Sequence, residues 1–349
     1  MHPHRLRWKK WLFAVVKLLV FGLLVWFLRD MLTKAVADLR KHPWQVQPAW
    51  LVLAGVCYFV GLMPVPIFWN RLMRSAGQDV GLFETIRAWW ISQIFKYIPG
   101  KAMVLIVRTG MLRSPQVETA VVGASVFVET LTMMAVGSFV SFVILIVVNW
   151  HELGTLLGNV TSWSTFLEIF ANRAFLTTFA ALGMFAGMGL PTWPPIMRFA
   201  IKVLRLGRLN PSAAKKISHV SHNVLVVGWL TIAAGWFIQG IGLWATLRSL
   251  GVSVSLTDLP MNTVTVAMST VAGFLSLIPG GAGIREVVQT ELTVKQFGAG
   301  TALVAAIFWR LVMLVAELII SSILYLLGPR GLRRKLSDPS EVPAASTGG

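Results

Sequence analysis

The chain has 349 residues, 56% of them hydrophobic and 13% charged, with a mean hydropathy of +0.71. No soluble domain buries that much apolar surface, so the composition excludes a soluble enzyme or a nucleic-acid module and points to an integral membrane protein. The formal net charge of +17 then belongs to basic loops that fix topology and lie against anionic lipid head groups.

In chain order, a basic cytoplasmic N-terminus over 1–10 carries Arg5, Arg7, Lys9 and Lys10. It precedes an apolar run from Trp11 to Leu28 that ends in Arg29-Asp30 without a small-residue cleavage site, so an uncleaved first span is expected. Further spans follow at about Ala49–Trp69, Val117–Val148, Ala174–Leu190, Val224–Leu247 and Thr301–Leu327, each close to the ~20 apolar residues that cross a bilayer. The single cysteine, Cys57, falls inside the second span and is assigned to packing rather than to disulfide or metal chemistry. Between the fourth and fifth spans, residues 194–216 carry Ile196, Phe199, Ala200 and Val203 at helical spacing, with Arg198, Lys202 and Arg205 on another face. That pattern predicts an amphipathic surface helix. The tail over 329–349 is basic, then rich in Pro, Ser, Ala and Gly, and is expected to be disordered and cytoplasmic.

Two other apolar stretches, about Ile86–Val107 and Met261–Val288, are interrupted. Ile98-Pro99-Gly100-Lys101-Ala102 and Ile278-Pro279-Gly280-Gly281-Ala282 share Ile-Pro-Gly and a following Ala at an offset of 180 residues. Helix-breaking Pro-Gly at membrane depth is tolerated where the freed backbone lines a cavity or packs against protein, and matched breaks in two halves point to a transporter's binding site. The two stretches read as re-entrant helical hairpins, about 86–113 and 261–297; pairs of short crossing helices also fit. With the N- and C-termini inside, the internal segments hold 21 Lys and Arg and the external ones 8, a strong bias toward that orientation. The expected fold is all-α: six full spans plus two Pro-Gly hairpins, arranged as inverted repeats over 11–173 and 174–328.

Ionisable residues inside spans cost ~2.5–3.5 kcal/mol each at the helix centre and are functional candidates by default. Glu129 lies well within the third span; Arg310 and Glu317 share a face of the sixth. A buried Glu129–Arg310 pair locking those spans together, and a charge pair lining a polar cavity, are both open readings. Lys101 and Arg108 follow the first break, and Gly283, Arg285 and Glu286 follow the second. A helix that starts after a glycine-rich break aims free N–H groups and its positive end at a ligand, so these residues suit a phosphate or other anionic head group. Snorkelling of Lys101 and close helix packing at the glycines are the structural alternatives. No Walker loop, His-Glu-x-x-His or Gly-x-Ser-x-Gly is present, and no cofactor or metal is expected.

The run Lys96 to Lys101 with Arg108, then Glu129, then Ile278 to Glu286, then Arg310 and Glu317, resembles the flippase-like family. It is also called the lysylphosphatidylglycerol synthase transmembrane family, and it includes the membrane half of the bacterial multiple peptide resistance factor. The resemblance covers roughly 10–328. It implies a bacterial inner-membrane protein that moves or presents a lipid between leaflets, with aminoacylated or other anionic phospholipids, glycolipids or isoprenoid lipids as partners. Many members place Gly-Glu soon after the first Pro-Gly-basic triplet, where this chain has Met103-Val104. No soluble synthase domain follows the last span, so aminoacyl transfer is not expected. The functional expectation is a lipid transporter without nucleotide hydrolysis, with Pro99, Gly100, Lys101, Arg108, Glu129, Pro279, Gly280, Gly281, Gly283, Arg285, Glu286, Arg310 and Glu317 along the substrate path. The alternatives are a membrane-embedded lipid-modifying transferase, for which Asp79 and Glu84 are the only neighbouring carboxylates on the cytoplasmic side, and a scaffold for a separate lipid synthase or glycosyltransferase.

Overall fold

The structure is a computed structural model that describes residues 46–98, 102–115, 117–152, 172–192, 216 and 220–328. Every regular element among these residues is helical. The first span, nearly all of the amphipathic segment over 194–216, the tail, and Pro99, Gly100 and Lys101 lie outside the described residues.

The chain first forms α1 (Pro48–Leu62) and α2 (Pro64–Ser75), joined through Met63, whose backbone keeps helical dihedrals. Pro64 and Pro66 cannot donate to the helix ladder, which explains the seam between α1 and α2. Next come α3 (Leu82–Gln93), a 3-10 turn at Ile94–Tyr97 and α4 (Ala102–Met111). The long helices α5 (Thr119–Val148), α6 (Arg173–Gly189) and α7 (His222–Ser249) follow. The second broken segment is α8 (Leu259–Leu275), a 3-10 turn at Pro279–Gly281, and α9 (Ile284–Phe297); α10 (Ala299–Leu326) closes the described chain. Among the described residues, five helical stretches are long and apolar enough to cross a membrane: Pro48–Ser75, Thr119–Val148, Arg173–Thr192, His222–Ser249 and Ala299–Leu326. They match the second to sixth spans expected from the sequence.

The helices pack by close backbone approach rather than by apolar burial alone, as lipid-embedded helices must. Along one face of α7, Gly228, Gly235 and Gly242 recur every seven residues. A Cβ on Gly235 would lie 2.2 Å from the Gly61 carbonyl oxygen of α1, and one on Gly228 would meet the Phe68 ring of α2 at 2.2 Å. At Gly242 the obstacle is the Trp309 ring of α10, 2.7 Å away. Here α7 runs against both α1 and α2. The two broken segments are each held by a long helix from the other end of the sequence. Helix α3 packs on α10, where Arg87 Nε donates to the Leu324 carbonyl at 2.9 Å and Ser321 Oγ donates to the Trp90 carbonyl at 2.9 Å. Helix α8 packs on α5. The 3-10 turns of the two segments touch each other. Cys57 is a buried free thiol within α1, in keeping with a packing role.

Candidate functional site

Where the two 3-10 turns meet, five charged side chains gather from three elements: Lys96 from the first 3-10 turn, Arg285 and Glu286 from α9, and Arg310 and Glu317 from α10. The backbone makes room for them at the second break. Gly280, Gly281 and Gly283 have φ of 60°, 67° and 85°, the left-handed region that only glycine enters at little cost. A Cβ on Gly280 would lie 2.5 Å from the Tyr97 ring and 3.0 Å from Arg310 Nη2. Glycine here lets the turn approach both groups.

Glu317 on α10 is 1% exposed and accepts from three donors: the Tyr58 hydroxyl of α1, Lys96 Nζ, and the Tyr97 hydroxyl at 3.0 Å. The Tyr97 ring lies beneath two cations, Lys96 Nζ at 5.1 Å and the Arg310 guanidinium at 5.2 Å from its centre. Arg310, 2% exposed, donates from Nη2 to the Gly280 carbonyl at 2.7 Å, and its Nε is 3.6 Å from Glu286 Oε1. The other Glu286 oxygen accepts the Gly283 N–H at 2.7 Å and caps α9. Two donors in this cluster are buried with no hydrogen-bond partner among the described residues: Arg310 Nη1 and Arg285 Nε. Three cations face two carboxylates, so the cluster carries one surplus positive charge and two unspent N–H groups. A buried cation in that condition is an acceptor's site.

A second charged pair sits apart from the first. Arg108 on α4 and Glu129 on α5 form a salt bridge at 2.6 Å, with side chains 3% and 2% exposed. Arg108 Nε also donates to Ser92 Oγ at 2.9 Å, and Trp89 Nε1 donates to the other Glu129 oxygen at 2.9 Å. The Arg108 guanidinium lies 4.9 Å from the Trp69 ring centre and 5.5 Å from that of Trp89. Every side of this pair is occupied, so it ties α3, α4 and α5 together. These partners correct the expected locking of the third and sixth spans by a Glu129–Arg310 pair. Each broken segment instead pairs with the long helix that follows it, through Arg108–Glu129 and Glu286–Arg310, with the signs exchanged. Glu84 accepts the Gly81 N–H and caps α3, a structural use of that carboxylate.

Pro279, Gly280, Gly281, Gly283, Arg285, Glu286, Arg310 and Glu317 thus come together, while Arg108 and Glu129 form their own closed cluster. The sequence reading missed Lys96, Tyr97 and Tyr58. Two of the chain's three tyrosines, Tyr58 and Tyr97, converge on Glu317. Beside this cluster an apolar groove of about 710 Å³ runs between α1 and α10, lined by Gly55, Phe59, Ile86, Val312, Ala316 and Ile320 among others. The Tyr58–Glu317 bond joins the same two helices through residues next in sequence to the groove-lining Phe59 and Ala316. Val56, Val315 and Ile319 at the groove's edge are half exposed, as lipid-facing side chains are.

No curated protein matches the chain by sequence. The family model described as the lysylphosphatidylglycerol synthase TM region matches residues 14–321, and the chain belongs to that family of membrane proteins.

Proposed function

We propose that this chain is a flippase-like lipid transporter of the bacterial inner membrane, working without nucleotide hydrolysis. In this reading Lys96, Arg285 and Arg310 receive the anionic portion of a lipid head group, while the acyl chains remain in the bilayer along the α1–α10 groove. The observation that carries it is the pair of buried donors without a partner among the described residues, Arg310 Nη1 and Arg285 Nε, in a cluster whose Tyr58–Glu317 bond joins the two helices that line the groove. Family membership supports a membrane lipid as partner. The closed Arg108–Glu129 cluster serves in this reading as the packing anchor of the first hairpin.

Alternating access follows from inverted repeats. At an offset of 180 residues α10 corresponds to α5, α8 to α3, and α7 to the joined α1–α2. The exchanged packing, α3 on α10 and α8 on α5, is what a two-fold relation in the membrane plane would give. The first hairpin opens to the cytoplasm and the second to the outside, with both termini cytoplasmic. Rocking of one half against the other then exposes the cluster to each side in turn.

Translocation of fluorescent phosphatidylglycerol in proteoliposomes tests the assignment. Arg310→Ala and Arg285→Ala are expected to lower the rate about ten-fold or more, because a charge-assisted hydrogen bond contributes about 1.5–3 kcal/mol. Rates equal to the unmodified chain in both variants would remove the head-group role.

A further inference from the structure

The α8–α9 pair buries more polar groups than its own packing uses. Two contacts fix its antiparallel register. At the open end Gln296 Nε2 donates to Asp258 Oδ1 at 2.6 Å. At the closed end Arg285 lies over Gly273, where a Cβ would come 2.6 Å from Arg285 Cγ. Counting evenly between these ends, an antiparallel register would bring Asn262 level with Thr293, Val266 with Gln289 and Thr290, and Ser269 with Glu286. Asn262 is 1% exposed, Gln289 3%, Thr293 4%, Ser269 3% and Glu286 6%.

Three polar atoms along this seam have no partner among the described residues: Asn262 Nδ2, Gln289 Nε2 and Thr290 Oγ1. The Ser269 and Thr293 hydroxyls donate to carbonyls of their own helices, which leaves their lone pairs free to accept. Buried donors left unmet cost about 1–3 kcal/mol each, and ordered water satisfies them where two to four polar groups converge. Helix α5 differs. It too buries hydroxyls, at Ser138 and Ser141, yet none of its buried polar side-chain atoms lacks a partner. The seam therefore gathers unmet polar atoms where α5 has none. Its members recur about one turn apart on α9, at Gln296, Thr293, Gln289 and Glu286, and cover about 15 Å at the helical rise, half of a hydrocarbon core of about 30 Å.

We propose that the α8–α9 seam is a hydrated track that carries protons from the extracytoplasmic surface to Glu286. The inference rests on the proposed entry of this segment from that side. A hydronium ion at the inner end transfers its proton to Glu286 Oε1 and becomes water. The neutral carboxyl then releases its hold on Arg310, which keeps its bond to the Gly280 carbonyl and turns its charge toward a head-group anion. The charged and titratable groups around Glu286 are Arg285 on its own helix, Arg310 and Glu317 on α10, Lys96 and Tyr97 on the first 3-10 turn, and Tyr58 on α1. Helix α8 contributes Ser269 and no charge.

Accessibility to silver ion tests the track independently of lipid transport. In a Cys57→Ser background, Gln289→Cys, Asn262→Cys and Val287→Cys are each exposed to silver ion in right-side-out membrane vesicles, denatured, and alkylated. The hydrated track predicts that Gln289→Cys and Asn262→Cys are blocked at least about ten times faster than Val287→Cys, although Val287 is 59% exposed and Gln289 3%. Equal or slower blocking at both seam positions overturns the track. In phosphatidylethanolamine–phosphatidylglycerol vesicles with a trapped pH dye, an external acid pulse should acidify the lumen faster with the chain than without it. Glu286→Gln and Gln289→Leu should each abolish that increment. An increment unchanged by Glu286→Gln overturns the proton role, even where the thiols are blocked. Lipid translocation at the unmodified rate in Arg310→Ala and Arg285→Ala, with fast thiol blocking intact, would remove the head-group reading and leave the track standing.

Discussion

The two buried ion pairs use the same chemistry for opposite ends. Arg108 and Glu129 fill one another's hydrogen-bonding capacity with help from Ser92 and Trp89, so removing either leaves a stranded charge in a dry site. Breaking a buried pair in this way costs about 3–5 kcal/mol, and Arg108→Ala should show that loss in a denaturant titration of the purified protein. Arg310→Ala should behave differently. Its loss frees the Gly280 carbonyl, the face of the Tyr97 ring and a Glu286 oxygen 3.6 Å away, while Gly283 N–H still holds the other oxygen. It also removes a like-charge neighbour of Arg285. A smaller drop in stability than that of Arg108→Ala is expected, alongside the larger drop in lipid translocation. Equal stability losses in the two variants would mean that Arg310 is also a packing residue. Arg310→Lys offers a further discrimination, because an ammonium cannot reach the Gly280 carbonyl and a ligand through a rigid fork. It is expected to recover translocation only in part.

At the scale of elements, the second break is built around Gly280. Alanine there would adopt a φ of 60° and drive its methyl into the Tyr97 ring, which sits between Lys96 and Arg310. Left-handed backbone costs a non-glycine residue about 1–2 kcal/mol, and the displaced ring disturbs both cations at once. Gly280→Ala should therefore lower translocation more than stability. Gly183→Ala on α6, where nothing lies within 4 Å of the added methyl, should change neither. Much of this layout was legible in the sequence. Apolar length located the five described spans to within a few residues at each end, and the Pro-Gly repeats located both 3-10 breaks. Partner choice was not legible. Glu129, Arg108, Arg310 and Glu286 announce themselves as buried charges, but which pairs with which depends on helix rotation and depth. The glycine rhythm at 228, 235 and 242 also went unread, although its seven-residue period is a packing signature that needs no structure to count. The tyrosines were hidden for another reason: a hydroxyl aimed at a carboxylate 259 residues away, as in Tyr58–Glu317, leaves no local pattern.

Over the whole molecule, neither half of the chain can bury its broken segment alone. Helix α3 needs α10, where Arg87 and Ser321 supply the cross-links, and α8 needs α5. The Trp236 indole of α7 reaches the Met133 carbonyl of α5 at 3.2 Å, and Gly61 of α1 meets Gly235 of α7 backbone to backbone. These contacts all run between residues before 153 and residues after 171, so folding of the first segment waits on synthesis of the last. The halves should thus behave as complementary fragments rather than as independent domains. Residues 1–160 and 161–349, expressed separately, should be degraded or aggregate. Expressed together with an affinity tag on one, they should co-purify in mild detergent. Gly235→Leu in the second fragment should abolish that co-purification, because its side chain would occupy the space of the Gly61 carbonyl. Stable, monodisperse single fragments would instead show that each half carries its own core, and would remove the packing basis for exchanging hairpins between halves. Rigid closure of the Arg108–Glu129 side against an open Arg310–Arg285 side then has a consequence for motion. If the chain transports lipid as proposed, the first half is the fixed frame and the movement falls on α8, α9 and their turn, where the glycines and the unmet donors are found.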